Sequence, residues 1–141
     1  MIYYLNLGSN LGNRLLHISR ALKALGEEFG PYETSHKVES DPWGFDSTNR
    51  FVNIGVAIES DLEPEEMLRK LKEIEKSISH VGHRRPDGSY SDREIDIDIM
   101  ATDGGEFHSE TLNIPHPHLR ERDFFMTPLK ELAPEIWEKY C

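Results

Sequence analysis

Asp96 and Asp98 stand two residues apart in the run REIDIDIM, residues 93–100, and alternate there with Ile95, Ile97 and Ile99. A period of two is the period of a strand, although aspartate and glutamate are poor strand formers. One face of this strand is aliphatic; the other lines up carboxylates that repel one another. Same-face neighbours on a strand lie about 6.6 Å apart, two rises of about 3.3 Å. Both carboxylates therefore reach one divalent cation or a close pair. Magnesium prefers oxygen ligands and commonly shares a few carboxylates with substrate phosphates, and its charge would offset the repulsion. A solvated sheet face is the plain alternative for a bare D-x-D. Against it stand a basic loop directly upstream, an asparagine and a phenylalanine on the same face, and two loops long enough for lids.

The upstream loop, HVGHRRPDGSYSDR, holds His80, His83, Arg84, Arg85 and Arg93; a second basic cluster, HPHLRER, holds His116, His118, Arg120 and Arg122. Arginine offers planar, bidentate donors that match phosphate oxygens. An exposed charged loop is the alternative, and it suits Arg84 well. His116 is either a phosphate donor or a turn residue. Trp43 and Phe45 flank a glycine in a polar loop, where they either pin the loop or stack on a flat heterocycle. GSNLGNR is glycine-rich but lacks the Lys-Ser/Thr of a P-loop. It reads as a turn, with Asn10 or Asn13 capping the next helix. The histidines and Cys141 show no zinc spacing.

These residues need a frame. Residues 2–7, IYYLNL, read as strand one. A helix follows to about Leu25, with Leu15, Ile18, Leu22 and Leu25 on one stripe and Gly26 closing it. Residues 32–39 are strand two, 40–50 a loop rich in turn formers, and 51–59, FVNIGVAIE, strand three. Helix two covers 62–78, with Pro64 in its first turn and Leu68, Leu71, Ile74 and Ile78 as its stripe. Residues 79–92 are a long polar loop before strand four. A hairpin around TDGGE and a short helix near FFMTPLKEL follow. The order βαββαβ predicts a ferredoxin-like α+β sandwich, mostly antiparallel, with both helices on one face and a C-terminal hairpin and helix extension. Alternation then sends Val52, Ile54, Val56 and Ile58 toward the helices, with Leu5 and Leu7. Phe51, Asn53, Asn6, Asp96 and Asp98 gather on the uncovered face.

The 141 residues suit one domain, 1–141, with one proper core. The chain carries 37% hydrophobic and 30% charged residues and a net charge of −10, from 16 basic and 26 acidic residues. Such a chain repels nucleic acid and anionic membrane, so an anionic ligand has to be met by a local basic cluster or by metal. No apolar run is long enough for a bilayer, and no signal peptide is evident. A single cysteine excludes a disulfide framework and points to the cytoplasm. From these residues alone the chain reads as a magnesium-dependent enzyme acting on a nucleotide by phosphoryl or pyrophosphoryl transfer.

LNLGSNLGNR, FVNIGVAIES with its PEEML helix, DREIDIDIM, IPHPHLRERDFF and PLKELAPE, in this order and nearly end to end, resemble the 6-hydroxymethyl-7,8-dihydropterin pyrophosphokinase family of folate biosynthesis. The resemblance implies transfer of the β,γ-pyrophosphoryl group of ATP to the pterin hydroxymethyl group, leaving AMP, with two magnesium ions on a ferredoxin-like fold. It implies Asp96 and Asp98 as metal ligands, and Arg85 and Arg93 as catalytic loop arginines. Lys72, Arg85, Ile99, His116 and Arg122 are implied at the ATP site. Ser40, Trp43, Phe51, Asn53, Asp96 and Phe124 are implied at the pterin site, and Glu75 takes a position where the family often has a glutamate near the site. The chain departs from the family pattern where Ser91 and Asp92 precede Arg93, where His83 replaces a second loop arginine, and where Tyr90 replaces a tryptophan. The expected state is a monomer or weak dimer, with no second enzyme fused to it. Two rival readings are a non-catalytic ligand-binding module on the same fold and a metal-dependent phosphoesterase using Asp96 and Asp98.

Overall fold

The computed structural model describes residues 1–41, 49–79 and 94–141. Five strands make the main sheet: β1 (Ile2–Ser9), β2 (Tyr32–Thr34), β3 (Val38–Ser40), β4 (Phe51–Glu59) and β5 (Asp96–Thr102). The order is β2-β4-β1-β5, with β3 also on β4, and every pairing is antiparallel. Helices α1 (Arg14–Phe29) and α2 (Pro64–Ile78) complete the βαββαβ order. Their apolar faces meet Tyr3, Leu5 and Leu7 of β1, Val52 to Ile58 of β4 at alternate positions, and Ile95, Ile97 and Ile99 before and within β5. Each buried isoleucine is worth roughly 1.5–3 kcal/mol. Three of them outweigh a strand-propensity scale that spans only about 1 kcal/mol, so the carboxylate-bearing segment is held in the sheet by its other face.

The expected strand over 32–39 is two pieces. Ser35 intervenes: its N–H donates to the Gly55 carbonyl at 2.9 Å, and its hydroxyl accepts from the Gly55 N–H at 2.8 Å. Thr34 pairs with Val56 but Val38 pairs with Asn53, so one extra residue bulges there. The first helix does not end at Gly26. It runs to Phe29, and Gly30, at φ 84°, takes the left-handed cap. Gly26 instead makes room for a ring, since a Cβ there would meet Tyr32 Cε1 at 3.3 Å. Leu15 is 55% exposed and leaves the predicted stripe. Asn13 is the N-cap, its side chain accepting from the Leu16 N–H at 3.1 Å. On α2 the buried face is Met67, Leu71, Glu75 and Ile78, with Leu68 and Ile74 only partly buried.

The C-terminal part differs most from expectation. The two-residue strands β6 (Phe107–His108) and β7 (Asn113–Ile114) pair with each other, so the hairpin turns after His108 rather than at TDGGE. Two helices follow, α3 (Asp123–Leu132) and α4 (Pro134–Tyr140). They bury a second core of Tyr4, Met100, Ala101, Leu119, Phe125, Leu129, Ala133 and Tyr140 on the sheet face opposite α1 and α2. The face expected to be uncovered is therefore covered in part. Gly55 permits the close approach, because a Cβ there would lie 2.7 Å from Pro128 Cβ. A bulge where Leu5 pairs with Ile99 and Tyr4 with Ala101 turns both Met100 and Ala101 into this core. Among the described residues no helix is long and apolar enough to cross a membrane.

Candidate active site

The strand register places the polar residues in two rows. Gly8 of β1 pairs with Asn53 on one side and Asp96 on the other; Asn6 pairs with Gly55 and Asp98. The first row has no side chain at its centre. A Cβ on Gly8 would lie 3.0 Å from Asn53 Oδ1 and 3.4 Å from Phe51 Cδ1. Asn53 is 1% exposed. Its Nδ2 donates to the Val38 carbonyl at 3.2 Å and to Ser40 Oγ at 2.8 Å, while its Oδ1 accepts from Asn6 Nδ2 at 3.3 Å. Ser40, Phe51, Asn53 and Asp96, four of the expected pterin residues, thus share this end of the sheet. Phe124 lies at the start of α3, edge-on to Phe125 with 5.1 Å between centroids. Trp43, Arg85 and Arg93, with His83 and Tyr90, lie outside the described residues.

Beyond Asp96 a cavity of about 510 Å³ opens. Its lining includes Lys72, Ile99, His116 and Arg122, the expected ATP-site residues within the described set, together with Asp96 and Asp98. His116 is fixed from several directions. Its backbone N–H donates to the Met100 carbonyl at 2.9 Å, along the outer edge of β5. Its ring meets Phe125 edge-on at 4.9 Å, and its Nδ1 accepts from the His118 N–H at 3.0 Å. A neutral ring therefore carries its proton on Nε2, 3.8 Å from Asp98 Oδ1. Burial, then the Arg122 and His118 charges, pull His116 down to about 4, so near neutral pH it is an uncharged N–H donor facing the cavity. Arg122 is 7% exposed, with its guanidinium carbon 4.8 Å from the Phe125 centroid.

Three carboxyl groups crowd the cavity wall. Burial, then Asp96, push Asp98 well above the usual carboxylate range. Burial, then Asp96, raise Glu75 to about 7. Glu75 was expected only to lie near the site. It is 4% exposed, and its Oε2 accepts from the Ile97 N–H at 2.7 Å, satisfying the outer edge of β5. A glutamate in register with Met67 and Leu71 on an apolar stripe was the available signal for such a role. Among the described residues no three His, Cys, Asp or Glu side chains form a ready cation cage. Asp98 and Glu75, raised by burial and then by the Asp96 charge, crowd negative charge beside a cavity with basic walls and fit an ion that takes its other ligands from phosphate and water.

Glu75 makes the pH response predictable. Its folded pKa exceeds the ordinary value of 4.5, so its contribution is fully present below about 4.5 and lost as pH rises through about 7. His116 acts in the opposite sense, since a depressed histidine costs stability as pH falls from about 6.5 toward 4. The comparison with Glu75→Gln, which keeps an acceptor for Ile97, isolates the first effect. Without magnesium, the variant should gain stability relative to the parent as pH rises from about 4.5 to 7. Denaturant melts at several pH values check this; a difference that does not change with pH would refute it.

The chain matches, over residues 4–134, the family described as 7,8-dihydro-6-hydroxymethylpterin-pyrophosphokinase (HPPK). Among similar curated relatives, the 2-amino-4-hydroxy-6-hydroxymethyldihydropteridine pyrophosphokinase of Aquifex aeolicus is 37% identical over 133 residues, covering 94% of this chain and 81% of its own. The protein of the same name from Porphyromonas gingivalis is 40% identical over 135 residues, covering 94% and 91%. A solved HPPK-DHPS chain of Plasmodium falciparum superposes with a TM-score of 0.70 over 92% of this chain, at 16% identity. This chain spans 40% of that longer one, and at such identity the likeness speaks for the fold. The match of the family over residues 4–134, with relatives of that name at 37% and 40% identity over nearly the whole chain, shows that the chain belongs to the 7,8-dihydro-6-hydroxymethylpterin-pyrophosphokinase family.

Proposed function

We propose that the chain, as one domain over 1–141, transfers the β,γ-pyrophosphoryl group of ATP to the hydroxymethyl group of 6-hydroxymethyl-7,8-dihydropterin. The observation that carries this reading is the continuity of the face. The Asn53–Gly8–Asp96 row runs into the cavity lined by Lys72, Asp98, His116 and Arg122, so the two carboxylates stand between a place for a flat heterocycle and a place for phosphates.

The hydroxymethyl oxygen attacks the β-phosphorus, the bond from that phosphorus to the α-phosphate oxygen breaks, and AMP leaves with the bond's electron pair. The hydroxyl proton is released to solvent. Asn53 and Phe51 hold the heterocycle, with Ser40 fixing Asn53 and Phe124 covering the ring. His116, through Nε2–H, and Arg122 donate to phosphate oxygens, and Lys72 adds charge at the rim. Asp96 and Asp98 would hold magnesium, two ions in this reading, which neutralises and orients the triphosphate when bound. Arg85 and Arg93 are assigned to the transferring phosphates from sequence.

Incubation with ATP, magnesium and the dihydropterin should give AMP and pterin diphosphate in equal amounts. ADP, or phosphate release that does not need the pterin, would favour a phosphoesterase; binding without any product would favour a non-catalytic module. Asn53→Ala should weaken pterin binding by roughly 1–3 kcal/mol, the cost of unpaired buried polar groups, and ATP binding far less. Equal losses of both ligands in calorimetry would make Asn53 a structural residue.

A further inference from the structure

Asn6 is a polar residue in the most buried strand of the sheet, 2% exposed, flanked by Leu5 and Leu7 in the first core. Its Nδ2 donates to Asn53 Oδ1 at 3.3 Å. The direction of this bond is fixed by what lies beyond it. Asn53 Nδ2 donates to the Val38 carbonyl, which can only accept, and to Ser40 Oγ, so both hydrogens of that amide are taken. Asn53 must therefore turn its oxygen toward Asn6, and Asn6 must answer with its nitrogen. The chain of bonds ends at Asn6 Oδ1, which is buried and has no hydrogen-bond partner among the described residues.

A buried acceptor without a partner is destabilising, so Asn6 costs stability at its own oxygen while its nitrogen satisfies the oxygen of Asn53. What Asn6 provides is control of Asn53: the oxygen is held on the side that Gly8 leaves vacant, where a Cβ would approach it to 3.0 Å. With both N–H groups consumed and one oxygen lone pair taken by Asn6, Asn53 can meet a ligand there only as an acceptor.

We propose that Asn6 is a positioning residue for substrate recognition, which pins Asn53 as a hydrogen-bond acceptor and so selects heterocycles that present an exocyclic amino donor. This rests on the pterin reading of the site given above. The 2-amino edge of a pterin carries such a donor; the analogue with oxygen in place of that amino group replaces it with an acceptor.

The test compares the parent with Asn6→Leu by calorimetry, using 6-hydroxymethylpterin, its 2-deaminated analogue and ATP. Asn6→Leu removes one buried orphan acceptor and leaves another at Asn53 Oδ1, so it should melt close to the parent's temperature and bind the pterin roughly tenfold more weakly. It should also lose preference for the pterin over the deaminated analogue, with ATP affinity little changed. In an Asn53→Ala background the Asn6→Leu loss should vanish, because Asn6 acts through Asn53. Unchanged pterin affinity, or equal weakening of both heterocycles, would overturn the inference while leaving the pterin site intact. If Asn6→Leu does not fold, Asn6→Ala is put through the same comparison. A parent protein that binds no pterin and forms no AMP would overturn both readings.

Discussion

Asp96→Ala and Asp98→Ala should each reduce turnover by roughly a thousandfold or more, while the protein without magnesium melts at the same temperature or higher. The first half follows from the chemistry. A Lewis-acidic ion is worth several kcal/mol of charge stabilisation, and each 1.36 kcal/mol is about a factor of ten in rate. The second half follows from the structure. Both side chains line the cavity rather than the core, so truncation leaves no core void, and Asp98 is held well above its usual range by burial and then by Asp96. Removing either partner relieves that repulsion. Magnesium should raise the melting temperature of the parent, by mass action on the folded state, and do less for either variant. A variant that turns over at close to the parental rate, or a parent indifferent to magnesium, would refute the metal assignment. Asp98→Asn serves as the shape control, because it keeps the side chain's outline and removes its charge.

The main sheet was legible because its signals are local and agree with one another. Period-two runs at 51–59 and 93–100 and a period of 3.6 between them specify the split βαββαβ order and the face each side chain takes. What escaped was decided by contacts between distant residues. Nothing in YETSHKVE shows that the Ser35 hydroxyl will replace a backbone partner at Gly55. Gly26 looks like a helix stop until Tyr32 is known to lie against it. The covering of the second face by α3 and α4 depends on the absence of a side chain at Gly55 beneath Pro128, and a strand glycine does not by itself announce what will pack on it. The site followed the same division. Asp96, Asp98, Asn53 and His116 lie where alternation and motif placed them. Glu75 was expected only near the site and Asn6 only on the uncovered face, because each looks, in sequence, like an ordinary member of its element. Only the bonds to Ile97 and Asn53 mark them out.

Arg122→Ala should lower kcat/KM for ATP by roughly 10²–10³, the usual loss for one preorganised donor, and leave pterin affinity much less affected. Arg122 could instead be read as a packing residue. It precedes α3, and its guanidinium lies 4.8 Å from the Phe125 centroid and 5.6 Å from that of Phe124, which ties it to the second core. Such stacking is worth about 0.5–2 kcal/mol, so some loss of stability is expected in any case and cannot decide between the roles. Electrostatics can. Arg122 lines the same cavity as Asp98 and His116; its charge opposes the rise of Asp98 and ranks after burial among the causes that hold His116 at about 4. Removing it should move the His116 titration upward, toward the ordinary histidine value. Arg122→Lys should restore much of that depression but little of the rate, because an ammonium supplies the charge without the planar pair of donors. His116 chemical shifts followed against pH, with kinetics on the three proteins, separate the two roles. If the alanine variant loses stability while ATP kinetics and the His116 titration stay at parental values, Arg122 serves the core and the phosphates are met by other groups of the cavity wall. If both move together, the stacking on Phe125 is what aims the guanidinium, and packing in the second core becomes part of how the phosphates are held.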